Sequence, residues 1–353
     1  MKEKNVLIFG GSRFIGYLTL IELVKKNWNI TIFNRQLSVP PAPFPKNVRF
    51  FKGDRNNPDD YIKVFNKKYD LVIDFSGFKL SQVEPIFSRY SSNIKQYIFI
   101  STVDVYKKPY PEILYERSLK NSLEKSLIED YILQFKSKNQ VTILRLQGVF
   151  GPYDPCIPGL LLYRIQNDLP IFLKANSSIK SKLLYIYDFI KVINLLINNA
   201  NTYGKIYNIS GDEIITLDSL ISYCSKISNK EAVIKNYTED MSKFIIKYNP
   251  KKRHVDISPV WPENNYVSSN LLIKEDTKIQ FTNIENSLEK TFLWLNEKSD
   301  RLKYFSFPGE NYILSYVNPP YYKFYFWKII NFLDIRDKIK TKINKYKTFK
   351  LRK

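Results

Sequence analysis

The 353-residue chain holds two cysteines, one histidine, two methionines and eleven glycines. Each shortage closes a class of function. Cys156 and Cys224 stand too far apart for a metal-ligand spacing and make no disulfide framework, which points to a reducing compartment. A single imidazole, His254, argues against a histidine-based metal site and against a serine-type triad. No run reaches the roughly 18 uncharged apolar residues that a membrane-spanning helix needs. Met1-Lys-Glu-Lys leads straight into an apolar run, which leaves no room for a secretory leader. The expected location is cytoplasmic.

Charge is the opposite case, an excess. The formal net charge of +21 invites a polyanion partner. The chain is also crowded with Asn, Ile, Tyr and Phe, a pattern that an AT-rich genome writes, so the lysines are read mainly as solvated faces. Glycine, though scarce, is concentrated where it matters. Three of the eleven lie within Val6-Leu-Ile-Phe-Gly-Gly-Ser-Arg-Phe-Ile-Gly16. Four apolar residues enter a glycine turn, and an amphipathic segment from Phe14 to Lys25 leaves it. That is a buried strand, a tight turn and a helix start, the geometry that seats a dinucleotide pyrophosphate on a helix N-terminus. Gly10 permits the turn and Gly16 lets the helix approach the strand. Arg13 stands where the middle glycine of Gly-x-x-Gly-x-x-Gly is expected.

Strand-like and helix-like runs alternate through the first half. Strands are expected at 6–9, 30–33, 48–51, 71–75, 97–100 and 141–144, with helices at 14–26, 58–67, 80–92 and 118–138. Such alternation means a parallel sheet covered on both faces. The second half offers a Gly/Pro loop at 148–159, helices near 159–168, 187–199, 216–228 and 284–297, and a strand at 205–209. The fold class expected is α/β: a Rossmann-type doubly wound parallel sheet with a smaller C-terminal substrate-side portion and a basic C-terminal helical tail. The divisions are 1–150 for the dinucleotide-binding core, 151–298 for the substrate side with returning core elements, and 299–353 for an aromatic and basic extension. From 301 onward there are thirteen basic residues against three acidic ones. Phe332, Ile335, Ile339, Ile343 and Tyr346 form one apolar stripe there. Residues 321–353 suit an anionic membrane surface, packing on the same domain or on a second copy in a homodimer, or RNA.

The glycine turn with Phe33-Asn34-Arg35 resembles the short-chain dehydrogenase/reductase superfamily, on its extended, NAD-dependent epimerase/dehydratase side. The likeness is greatest to an atypical subgroup that includes the chloroplast stem-loop binding proteins. It spans about residues 4–298 and includes Gly53-Asp54, the segment 99–106, Arg145-Leu-Gln-Gly-Val-Phe-Gly-Pro-Tyr-Asp-Pro155, Tyr185-Ile-Tyr-Asp188 and Tyr207-Asn-Ile-Ser-Gly211. Trp261, between Pro259 and Pro262, matches a structural motif of the subgroup.

The resemblance implies a nicotinamide dinucleotide held by Gly10, Gly11, Ser12, Arg13, Phe14, Ile15, Gly16, Asn34, Arg35, Asp54 and Lys125. An acid ending the second strand selects NAD, and an arginine accommodates the 2′-phosphate of NADP. Asn34 and Arg35 stand there, with Arg13 near, which favours NADP over NAD. The family's chemistry uses a Ser or Thr, a Tyr and a Lys four residues later. Thr102 and Lys125 fill the first and last places, with Glu129 four residues beyond the lysine, but the tyrosine position is Asn121. An amide does not exchange a proton in this pH range. Asp104, placed where dehydratase relatives carry an acid, is the first substitute; Tyr106, Tyr110, Tyr115 and Cys156 are others. Tyr163 and Arg164 would face a nucleotide-activated or phosphorylated sugar, the arginine pairing with its diphosphate. Two functions are implied: an NADP(H)-dependent oxidoreductase, epimerase or dehydratase, and a catalytically silent nucleotide- or RNA-binding relative.

Overall fold

A strand at the centre of a parallel sheet must be apolar on both faces, and Val6 to Phe9 are wholly buried. The computed structural model describes residues 3–36, 43–136, 139–154, 158–174, 180–237 and 267–297. Seven strands, β1 (Asn5–Phe9), β2 (Asn29–Asn34), β3 (Val48–Lys52), β4 (Tyr69–Asp74), β5 (Ile94–Thr102), β6 (Gln140–Leu146) and β7 (Lys205–Ile209), form one parallel sheet in the order β7-β6-β5-β4-β1-β2-β3. The order reverses between β1 and β4, which opens a crevice at the carboxyl ends of those strands.

Helices α1 (Phe14–Val24), α2 (Asp60–Val64), α3 (Glu84–Tyr90), α4 (Glu124–Leu133), α5 (Gly159–Gln166), α6 (Ile186–Leu196), α7 (Leu217–Ser228), α8 (Leu271–Thr277) and α9 (Ile284–Asn296) complete the main body. Leu7, Phe9, Phe33, Val72, Tyr97, Phe99 and Ile143 share a core with Tyr61, Val64, Ile86, Phe87, Ile128 and Ile132 from α2, α3 and α4. Phe33 stacks on Tyr61 at 5.6 Å between ring centroids. Each such buried ring stabilises the sheet by about 1.5–3 kcal/mol. Helix α1 packs on α6, while α5, α7 and α9 pack on one another.

The seven strands lie where the alternation puts them, and several helices are shorter than their periodicity. Asn27 and Asn198 take left-handed conformations, φ +56° and +60°, and close α1 and α6 early. The largest correction concerns 118–138, where α4 occupies only Glu124–Leu133. Residues 119–121 pair with 105–107 instead. Tyr106 bridges Lys120, Lys107 N–H donates to Leu119 O at 2.8 Å, and Asn121 N–H donates to Val105 O at 2.7 Å. These long-range bonds satisfy backbone groups that a longer helix would have paired locally.

The described chain falls into two units. The larger takes the described residues between 3 and 170, 180–233 and 267–297, and contains everything above. The smaller takes, of the described residues, 171–174 and 234–237. Its described part is a parallel pair, Ile171–Lys174 with Ile234–Tyr237. His254, Cys156, Trp261 and the extension 299–353 lie outside the described residues.

Candidate active site at the carboxyl edge of the sheet

The β1–α1 turn is shaped by its glycines. Gly10 takes φ +88°, and a Cβ on Gly16 would lie 2.3 Å from the Gly10 carbonyl oxygen. The amino end of α1 therefore sits directly on the turn. Arg13 is its N-cap in extended conformation, without a side-chain capping bond, and the first turn carries no acid. Uncapped N–H groups at such an end favour an anion. Phe14 opens α1 at φ +32°, a rare conformation for a bulky residue that clusters at ligand clamps. Ser12 and Ile15 are half-buried beside it, and Gly11 is buried.

Parallel pairing of Phe9 with Phe33 brings the end of β2 beside the turn. Asn34 spends its side-chain oxygen on Gln36 N–H at 2.9 Å, and Arg35 projects as an exposed cation, as Arg13 does. Gly53 N–H donates to Asn34 O at 3.0 Å, so Asp54 follows at the same edge. The Asp54 carboxylate accepts from Asn56 N–H and from its amide nitrogen, at 2.9 and 2.8 Å.

Four residues gather around the end of β5. Thr102 Oγ1 donates to Asp104 Oδ2 at 3.1 Å and accepts from Asp104 N–H at 3.2 Å, making a short cap. Asn121 Nδ2 donates to the carbonyls of Asp104 and Tyr106, at 2.7 and 3.2 Å, and its oxygen accepts from Leu123 N–H. From the first turn of α4, Lys125 Nζ donates to Ile100 O at 2.7 Å. It lies over the Phe99 ring at 4.6 Å and the Phe78 ring at 5.2 Å. Burial lowers its pKa to about 8; Arg55 adds to that effect, and Asp74 and Glu129 oppose it. Asn121 is thus not on the helix with Lys125, as the Tyr-x-x-x-Lys spacing implies, but on the extended segment before it.

Two buried charge networks behind this edge escaped the sequence reading. Arg55 grips Asp74 with two bonds, Nη1 to Oδ1 at 2.5 Å and Nη2 to Oδ2 at 2.7 Å. Tyr97 Oη donates to Asp74 Oδ2 at 2.6 Å, and Ser76 N–H to Oδ1 at 2.9 Å. Burial raises the Asp74 pKa, and Arg55 outweighs it, holding the carboxyl below its usual range. In the second network Arg145 binds Glu129, Nη2 to Oε2 at 2.6 Å, and Ser101 Oγ donates to Glu129 Oε1 at 2.6 Å. Arg145 Nη1 also donates to Tyr106 Oη at 2.9 Å, and that hydroxyl donates to Asn208 Oδ1 at 2.6 Å. Tyr106 is buried and committed, which corrects its place among the proton donors. The available signal was an acid, Asp74, closing the apolar run Leu71–Ile73, and an arginine, Arg145, inside another strand.

On the substrate side, Tyr163 is half-buried on α5. Arg164 is buried and donates to the Pro170 carbonyl, closing its own helix end, with burial lowering its pKa to about 10. Neither is brought to the end of β5 by a described hydrogen bond.

No family model matches the chain. It is 30% identical over 269 residues to the chloroplast stem-loop binding protein of 41 kDa b of Arabidopsis thaliana, covering 71% of this chain and 67% of that protein. The chain belongs to the NAD-dependent epimerase/dehydratase family, the extended short-chain dehydrogenases/reductases. It is also 28% identical over 182 residues to UDP-glucose 4-epimerase 3 of Oryza sativa subsp. japonica, 42% of this chain and 49% of that one. Among solved structures it resembles UDP-glucose 4-epimerase of Thermotoga maritima, with a TM-score of 0.69 at 16% identity, over 83% of this chain and 99% of the other. dTDP-glucose 4,6-dehydratase of Bacillus anthracis gives 0.67 at 18%, over 85% and 99%. These likenesses show the extended family's fold. Among the described residues no helix is long and apolar enough to cross a membrane, and no cluster of acids, cysteines and histidines suits a metal.

Proposed function

We propose that this family member is a nicotinamide-dependent epimerase, dehydratase or reductase of a nucleotide-activated sugar, with NADP(H) preferred over NAD. The carrying observation is the β1–α1 turn, where Gly16 has no room for a Cβ and the end of α1 has no side-chain cap. A pyrophosphate fits that cradle. Gly10 to Gly16 would hold it, Asn34 and Arg35 with Arg13 the adenosine ribose and its 2′-phosphate, Asp54 the adenine, and Lys125 the nicotinamide ribose. Two exposed guanidinium groups at one edge support the phosphate-bearing form. The nicotinamide, when bound, accepts and returns a hydride.

Thr102 would orient the reacting sugar oxygen, with its hydroxyl held by Asp104. Asn121 would fix the segment bearing Asp104 and Tyr106, because its amide is spent on their carbonyls. The relatives support the substrate class: the matched rice protein is a UDP-glucose 4-epimerase, and the Thermotoga maritima structure holds UDP-glucose. Residues 1–150 would bind cofactor and 151–298 the sugar nucleotide, with Tyr163 at its wall. Buried Arg164 serves the diphosphate only if α5 yields its Pro170 bond.

The test is turnover. Purified protein given NADP⁺ or NAD⁺ and a panel of UDP- and dTDP-sugars should produce an epimer, a keto-sugar or a reduced cofactor; no product from any combination refutes catalysis. The tied amide of Asn121 and the stem-loop binding relative favour one second reading, a silent RNA-binding member. That protein would lose RNA affinity steeply with salt and bind equally with or without cofactor.

A further inference from the structure

The family's proton-transferring phenol is absent at Asn121, and among the groups around it the Asp104 carboxylate already accepts the Thr102 hydroxyl at 3.1 Å. The Asn121 amide is bound to two backbone carbonyls and a backbone N–H. Tyr106 is sealed between Arg145 and Asn208. Burial, and then the Asp104 carboxylate, hold the Tyr110 phenol above its usual range, the wrong direction for a base near neutrality. Lys125 remains. Its ammonium has one described hydrogen bond, to Ile100 O two residues before Thr102, and otherwise faces the Phe99 and Phe78 rings.

We infer that Lys125 itself is the proton-transferring residue of this site, taking the role that a tyrosine has in its relatives. This deepens the function proposed above and rests on it. In the oxidative step, neutral Lys125 Nζ accepts the sugar hydroxyl proton and becomes ammonium. The C–H bond of the same carbon breaks, its electron pair leaves as hydride to the oxidised nicotinamide, and the oxygen closes to a carbonyl. The return step reverses each transfer.

The surroundings make the neutral amine accessible. The buried position withholds water from the cation, against the attraction of the two ring faces for it. The charged groups that face Lys125 are Asp74 at the end of β4, Arg55 from the β3–α2 connection and Glu129 on its own helix. Asp74 is bound by Arg55, and Glu129 by Arg145. Each opposing carboxylate is thus matched by a guanidinium, leaving burial to decide. A fully paired lysine on an exposed face would stay charged to about pH 10.4.

Two measurements on the full chain decide the matter. Trace acetylation from about pH 6 to about pH 11, read by peptide mass spectrometry, should place half-reactivity of Lys125 at about pH 8. In parallel, Lys125→Arg keeps the cation and removes the exchangeable proton; it should bind NADP⁺ within about threefold of wild type and lose turnover by at least about 100-fold. A labelling midpoint above about pH 10, or an Lys125→Arg protein that turns over normally, overturns the assignment. Loss of turnover in Asp104→Asn with Lys125→Arg unaffected gives the role to Asp104. A wild-type chain that binds no nicotinamide cofactor instead refutes the function on which the assignment rests, and the two failures are thereby distinct.

Discussion

At the β1–β2 end of the candidate site the backbone supplies the geometry, whereas at the β5–α4 end side chains supply it. The first end rests on Gly10 in a left-handed turn, on Gly16 touching a carbonyl, and on uncapped N–H groups. Its charges, Arg13 and Arg35, stand exposed. The second end rests on Thr102, Asp104, Asn121 and Lys125, fixed by hydrogen bonds spanning 2 to 25 residues. Behind it lie Arg55–Asp74 and Arg145–Glu129, both buried. A backbone site tolerates few substitutions at its glycines but needs no support from afar. A side-chain site depends on its supports, and those supports also carry fold stability.

The sharpest way to break that contrast is Gly16→Val. The added Cβ would meet the Gly10 carbonyl oxygen at 2.3 Å, so α1 must withdraw from the turn. Cofactor affinity by calorimetry should fall by more than about 100-fold, an order of magnitude set by the loss of helix-end contacts to phosphate. Unchanged affinity would mean that the backbone does not hold the dinucleotide. Next in size is Arg145→Met, which leaves Glu129 buried without its guanidinium. Unfolding in urea should show a loss of about 3–5 kcal/mol. A loss below about 1 kcal/mol would show that the β5–α4 end does not depend on this pair.

Arg35→Glu sharpens the comparison at the exposed end. Removing one charge-assisted phosphate contact and installing a carboxylate should move the ratio of NADP to NAD dissociation constants by about tenfold or more toward NAD. A global fold change is not expected, because Arg35 is solvated. The smallest effect is an acid limb. The Asp74 pKa is depressed in the folded chain, so its stabilisation is complete above the unfolded value of about 3.9 and is lost as pH falls through the lower folded value. Arg55→Met should flatten that limb in a pH series of melting temperatures, and an identical slope would remove the pair from the acid response.

The same contrast decides what was legible in the amino-acid order. The strands and the glycine turn are local: each rests on a run of apolar residues or on the freedom of one glycine. The family motif was legible for that reason, and so was the gap at Asn121. The segment 119–121 was not, because its helical period competes with pairing to 105–107, fourteen residues away at the Tyr106–Lys120 bridge. Arg55, Asp74 and Glu129 were visible as residues but not as partners, since each buried pair joins a strand to a loop or a helix and no spacing encodes it. Arg164 illustrates the reverse, an arginine expected to meet a diphosphate that the fold turns back onto its own helix end.

The central claim is that a dinucleotide rests on the β1–α1 turn with its phosphates on the end of α1. Titrating the full chain with NADP⁺ and with NAD⁺ by calorimetry tests it most directly. The account predicts saturable one-to-one binding of both, tighter for NADP⁺. No heat of binding with either dinucleotide, from protein that melts cooperatively, would contradict it.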